Sequence, residues 1–207
     1  MKFSQINPAT KLTLFRIFLI PFFMVFMFVD NLWTRIFALI IFVIAAITDL
    51  YDGVLARRFK VITNFGIFLD PLADKLLISA AFISFVGLRE LKVPAWMVVF
   101  IISREFLITG LRLLAMSTGK IIAADKTGKF KTTSQIVSII IILIILILNS
   151  MGRKYNLDLR LFKYLLSVLP YWIMLFITAL TVYSGISYLY KHRQIFTGQI
   201  SNIEVKS

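Results

Sequence analysis

Hydrophobic and polar positions alternate along this chain over tens of residues, not within single turns. Six stretches are almost wholly apolar: 12–29, 33–51, 69–88, 93–116, 133–149 and 165–190. Each approaches the roughly 20 residues that a helix needs to cross the hydrocarbon of a bilayer. Mostly short polar connections separate them. The fifth stretch holds "SIIIILIILILN" (138–149), a run that reads as a lipid-facing surface. The sixth closes on "YLYKHR" (188–193), aromatic then basic, with Tyr183, Tyr188 and Tyr190 forming a belt suited to the membrane interface. The pattern predicts an all-α integral membrane protein with six transmembrane helices.

Composition agrees. Hydrophobic residues make up 59% of the 207, against about half in ordinary soluble domains. Mean hydropathy is +0.89. Basic residues outnumber acidic ones, 23 to 10, which could suit nucleic acid. The bases fall between apolar stretches, however, where anionic headgroups and the positive-inside rule account for them, so no nucleic-acid partner is expected. With the N-terminus inside, 14 bases lie on the inner side and 7 on the outer, with Lys75 and Arg104 inside spans. This bias places both termini at the cytoplasmic face of a cell membrane. There is no cysteine, hence no disulfide or thiolate metal site. No small-residue cleavage site follows the first stretch, which reads as a retained helix. Residues 1–207 read as one domain, with a short interfacial segment at 1–11 and a polar tail at 194–207.

Carboxylates sit where such a chain should avoid them. "DLYDGVLARR" (49–58) ends the second stretch and "FLDPLADK" (68–75) opens the third. Asp49 and Asp52 are three apart, Asp70 and Asp74 four apart, so on helices each pair shares a face. A connector of about a dozen residues lets the two helices run antiparallel, bringing the pairs into one cytosol-facing polar pocket. Each carboxylate would cost roughly 2.5–3.5 kcal/mol deep in a span, and four together repel. Divalent cations resolve both problems, and hard oxygen ligands point to two Mg²⁺, with Mn²⁺ an alternative. Mg²⁺ commonly shares its shell with substrate phosphates, which implies phosphate chemistry. Gly53 and Ala56 remove bulk where a flat group could approach the backbone, and Arg57 adds a cation for phosphate. Gly66 opens the third stretch, and Pro71 suits a first helical turn.

The string Asp49-x2-Asp52-Gly53-x2-Ala56-Arg57-x8-Gly66-x3-Asp70-x3-Asp74 resembles the complete signature of the CDP-alcohol phosphatidyltransferase family. Its eight fixed positions would match by chance at a given start on the order of 10⁻¹⁰ of the time. The resemblance implies transfer of a phosphatidyl group from CDP-diacylglycerol to an alcohol, with release of CMP. It implies that Asp49, Asp52, Asp70 and Asp74 bind two metals and that Asp74 is also the general base. Asp52, Gly53, Ala56, Arg57 and Gly66 would line the CDP-diacylglycerol site. It further implies a homodimer among membrane lipids.

A second polar cluster bears on the acceptor. "ISREFLITGLR" (102–112) buries Arg104 and Glu105 in the fourth stretch and ends on Arg112. Arg104 and Arg112 lie eight apart, about two turns, and so share a face. Lys129 and Lys131 precede the fifth stretch. Together they read as an anion clamp for an acceptor carrying its own phosphate. A structural pair of Arg104 with Glu105 or with an aspartate is the alternative; the first is disfavoured because adjacent residues point apart on a helix. Glu105 reads as an orienting partner for a basic residue. The segments Ser103-Arg104-Glu105, Gly110-Leu111-Arg112 and Gly128-Lys129-Phe130-Lys131-Thr132-x2-Gln135 resemble the bacterial branch of the family that uses sn-glycerol 3-phosphate. So does the opening around Leu12, Thr13, Arg16 and Pro21. Phosphatidylglycerol (giving cardiolipin) and inositol phosphate are alternative acceptors, while serine lacks the phosphate. His192, between Lys191 and Arg193, reads as a headgroup or solvent contact. A divalent-cation transporter is the rival from another class, but it would favour a repeated, mid-membrane site. No second copy of the Asp cluster exists in the sequence.

Overall fold

The structure is a computed structural model. It describes residues 8–59, 64–117, 126–155 and 160–204, with side chains for 12–48, 73, 75–113, 115, 130–155, 164, 166–191 and 193. Among these residues there are six helices and no strand: α1 (Pro8–Phe28), α2 (Leu32–Phe59), α3 (Asn64–Gly87), α4 (Ala95–Ser117), α5 (Lys126–Lys154) and α6 (Arg160–Glu204). Each expected apolar stretch has its helix, in order. Two described stretches are long and apolar enough to cross a membrane, Phe130–Lys154 and Leu166–Lys191. Shorter apolar helices occupy Leu12–Phe28, Leu32–Thr48 and Lys75–Gly87. Within α4, Arg104, Glu105 and Arg112 interrupt the apolar run.

Every helix but α4 is longer than its apolar stretch because polar ends continue the same hydrogen-bonded ladder. α2 and α3 run through both aspartate pairs, so the expected dozen-residue connector between them shrinks to residues 60–63 at most. Pro71 therefore lies seven residues into α3 and not in its first turn. The expected polar tail is also helical as far as Glu204, and the 45 residues of α6 span about 68 Å at 1.5 Å each. That is over twice a hydrocarbon core of about 30 Å.

Apolar side chains cover the outside of the bundle as well as filling its core. On α2, Trp33, Phe37, Ile40, Ile44 and Ile47 form an exposed apolar stripe at helical spacing. The opposite face turns Ala38, Phe42 and Ala45 into a core with Phe23 and Met27 of α1 and Phe82 and Phe85 of α3. Less than half of each long apolar window is buried, 44% in α5 and 33% in α6. Hydroxyls within the helices are satisfied locally, as where Ser84, Ser134 and Thr178 each donate to the carbonyl four residues back.

α1 reverses into α2 through a turn capped by Asn31, whose Oδ1 accepts from the Trp33 N–H at 3.1 Å. At the same end, Gly87 lets α3 close on α1: a Cβ there would stand 2.6 Å from the Phe28 ring. Arg35, only 2% exposed, ties this end together. It ion-pairs with Glu90, meets Asp30 at 3.0 Å, and donates to Ser150 Oγ at 2.6 Å and the Leu146 carbonyl at 3.0 Å. Arg153 closes the ring on Asp30 (2.6 Å) and Glu90 (3.0 Å).

Candidate active site

Helix direction assigns the polar features to ends. The Arg35 clasp lies where α1 meets α2 and α3 meets α4. The C-terminal half of α2, the N-terminal half of α3, the C-terminal half of α4 and the start of α5 all lie towards the other end. Asp49, Asp52, Gly53, Ala56 and Arg57 are in α2, and Gly66, Asp70 and Asp74 in α3. Their side chains lie outside the described residues. The continuous helical backbone does supply the three- and four-residue registers that each carboxylate pair needs to share a face.

The second polar cluster is described in more detail. Glu105, 4% exposed, is the hub. Its Oε1 is ion-paired with the buried Lys131 and accepts from Gln135 Nε2 at 3.1 Å. Its Oε2 lies 3.2 Å from Lys75 Nζ. Thus one carboxylate joins α3, α4 and α5, and Lys75 directly follows Asp74. The expectation that Glu105 orients a basic residue is met by two of them. The geometric objection to an Arg104–Glu105 pair fails, since Arg104 Nη1 reaches within 3.8 Å of Glu105 Oε1. A long, flexible guanidinium arm overcomes the divergence of neighbouring Cβ directions.

Arg104 also donates from Nη2 to Ser184 Oγ on α6 at 2.9 Å. Two turns on, the Arg112 guanidinium stands 6.0 Å from the centroid of the buried Tyr188 ring, a cation–π distance. The Nε atoms of both arginines are buried with no hydrogen-bond partner among the described residues. Lys129 lies in α5, with its side chain outside the described residues.

Charge decides what this arrangement can do. Among the described residues, Lys75, Arg104 and Lys131 pair with one carboxylate, Glu105. A guanidinium is a planar, forked donor that suits carboxylate or phosphate oxygens, and α4 carries two of them, Arg104 and Arg112, about two turns apart.

Several participants carry no clear signal in the sequence. Lys75 reads there only as a base within a span. Thr178, Thr181, Ser184 and Tyr188 line one face of α6 at spacings of three and four, a polar stripe that could have drawn notice, and Gln135 lies 3.5 Å from Thr181. Arg16 of α1 is 1% exposed and engaged by neighbours. Counting from the α1–α2 turn at 1.5 Å per residue, it lies within about 8 Å in depth of Asp49.

The comparisons define the class. The family model for CDP-alcohol phosphatidyltransferase matches residues 6–183, and the chain belongs to that family. Among curated relatives, a protein of Bacillus subtilis strain 168 named CDP-diacylglycerol–glycerol-3-phosphate 3-phosphatidyltransferase is 41% identical over 198 residues, covering 90% of this chain and 95% of that protein. A protein of the same name from Yersinia enterocolitica is 38% identical over 178 residues, 82% of this chain and 92% of its own length. Another from Escherichia coli K12 is 41% identical over 141 residues, 65% and 75% of the two chains. Membership leaves the cation-transporter reading without support. The family generally depends on a divalent metal. The donor set fits one: four aspartates supply hard oxygen ligands, the chain has no cysteine, and its one histidine lies far along α6.

Proposed function

We propose that this protein transfers the phosphatidyl group of CDP-diacylglycerol to sn-glycerol 3-phosphate, giving phosphatidylglycerophosphate and CMP. The observation that carries the acceptor half is the gathering of Lys75, Arg104 and Lys131 around Glu105, with Lys75 on the helix that bears Asp70 and Asp74. The shared name of the relatives supports the same acceptor. Phosphatidylglycerol and inositol phosphate also carry phosphate, and are the competitors to exclude.

In this reading the acceptor phosphate is held by Arg104 and Arg112, with Lys129 and Lys131 adding positive charge. The Asp74 carboxylate accepts the proton of the attacking hydroxyl. The hydroxyl oxygen bonds to the phosphatidyl phosphorus as the bond from that phosphorus to the CMP oxygen breaks. Asp52, Gly53, Ala56, Arg57 and Gly66 hold the cytidine diphosphate, with Arg57 opposite phosphate charge. Asp49, Asp52, Asp70 and Asp74 would hold two divalent ions, Mg²⁺ or Mn²⁺, which when bound neutralise the diphosphate and the departing CMP.

The reading takes 1–207 as one membrane domain of six spans, N- and C-termini cytoplasmic, functioning as a homodimer. Arg104 and the aspartates then open towards cytosol, where CMP and the acceptor are soluble, while the apolar stripes hold the lipid substrate's neighbourhood. The test is an acceptor panel with purified protein, CDP-diacylglycerol and Mg²⁺, read by CMP release. Release with sn-glycerol 3-phosphate and none with serine is expected. No CMP with both substrates and metal present would overturn the reading.

A further inference from the structure

Three observations on α6 converge on the two arginines of α4. Gly185 faces the Arg104 side chain so closely that a Cβ there would stand 2.9 Å from its Cγ and 3.3 Å from its Nε. Ser184, the preceding residue, holds Arg104 Nη2 at 2.9 Å. One turn on, Tyr188 presents its ring to Arg112, within a small packed group of Tyr188, Ile108 and Ala115. The Arg104 stem therefore lies flat on the backbone of α6, in space that only a glycine leaves. Its side chain keeps 13% exposure, and its Nε has no partner among the described residues. With Nη2 held by Ser184 and the stem seated on α6, the guanidinium plane is fixed. Nη1, at 3.8 Å from Glu105 too far for a hydrogen bond, is the donor left for an incoming oxygen.

We propose that Ser184, Gly185 and Tyr188 are positioning residues that set acceptor specificity. They fix Arg104 and Arg112 in the spacing that selects acceptors bearing a phosphate monoester. This rests on the reading of Arg104 and Arg112 as phosphate ligands. The α6 residues need not touch the substrate; they act through the arginines. Because each arginine is already supported, little conformational entropy is lost when phosphate arrives, and affinity gains accordingly. An aliphatic side chain at 185 tips the Arg104 stem away from α6 and breaks its bond to Ser184.

The experiment uses the full chain in detergent, with two readouts: calorimetric binding of sn-glycerol 3-phosphate, and steady-state CMP release with each substrate varied. Gly185→Ala is expected to weaken acceptor binding and raise its KM about ten-fold or more, the scale of one charged hydrogen bond, with kcat and the KM for CDP-diacylglycerol within about two-fold. Ser184→Ala should move the same two quantities in the same direction by less, and is too small a change to unfold the helix. Tyr188→Leu should resemble Gly185→Ala, whereas Tyr188→Phe, which keeps the ring, should restore most of the affinity. Unchanged acceptor affinity in Gly185→Ala and Ser184→Ala, or an equal rise in KM for both substrates, would overturn the proposal. If the wild type binds glycerol phosphate without releasing CMP, the reaction assigned above fails, and the binding readout still decides the role of α6.

Discussion

Lys75 Nζ stands 3.2 Å from Glu105 Oε2, while Lys131 pairs with the other oxygen of that carboxylate. Lys75 is the residue after Asp74, so this contact ties the helix of the proposed base to the helix of the acceptor clamp. A helix that can rotate or slide by about 1 Å no longer presents a base to an oriented hydroxyl. Lys75→Met should therefore lower kcat about ten-fold or more with helical content unchanged, as read by CMP release and circular dichroism. Lys75→Arg should recover most of the rate. Glu105→Gln is the harsher change, because it leaves the buried Lys131 without the carboxylate it pairs with. A loss of about 3–5 kcal/mol is expected, visible as a lowered Tm.

Asp74→Asn keeps shape and hydrogen bonding but removes the proton acceptor and one metal-ligand charge. Turnover should fall to background while Tm and helical content stay close to wild type. A near-normal rate in Asp74→Asn would remove Asp74 from the base role. Asp49→Asn and Asp70→Asn should instead shift the Mg²⁺ dependence of CMP release to higher concentration. Chelation of divalent ions should abolish activity reversibly, with recovery on adding Mg²⁺ or Mn²⁺.

Arg112→Ala should raise the KM for sn-glycerol 3-phosphate by about ten- to a hundred-fold, the range for one charge-assisted hydrogen-bond partner, and alter the KM for CDP-diacylglycerol little. Arg104→Ala should do the same and also free Ser184. Lys131→Met tests a different point, because Lys131 is ion-paired with Glu105. If its main role is to balance that carboxylate, its loss should reduce Tm as well as acceptor affinity. Rate and melting measurements on the same preparations separate the two effects.

How much was legible follows from where each signal lives. Six helices were readable because apolar runs of membrane length do not depend on tertiary context. Their ends were not, since mixed segments such as 49–59 continue a helix past the point where hydropathy falls. The aspartates stood out because intramembrane carboxylates are rare. Ser184 and Gly185 did not, because small residues on an apolar helix usually serve close packing, and only the proximity of Arg104 gives them another meaning. Glu105 was recognisable as a partner for a base, but which bases could not be read: Lys131 lies 26 residues away along the chain.

The Arg35 clasp was the least legible feature, and it separates stability from chemistry. Its ion-pair partners, Asp30 and Glu90, come from two different helix connections, and Arg153 bridges the same two acids from the far end of α5. Asp30 and Arg153 are more exposed than Arg35 and remain able to hydrate. Arg35 is not, so its removal leaves the Leu146 carbonyl and Ser150 without their long-range donor and Glu90 with Arg153 alone. Arg35→Ala should cost about 3 kcal/mol or more, while Arg153→Ala, at a largely solvated site, should cost about 1 kcal/mol or less. Because the clasp lies at the end away from Arg104 and the aspartates, neither change should alter the KM for either substrate. Thermal melting in detergent beside CMP-release kinetics at a temperature well below the transition checks both halves. A raised acceptor KM in Arg35→Ala at that temperature would show instead that the two ends of the bundle are coupled through α5.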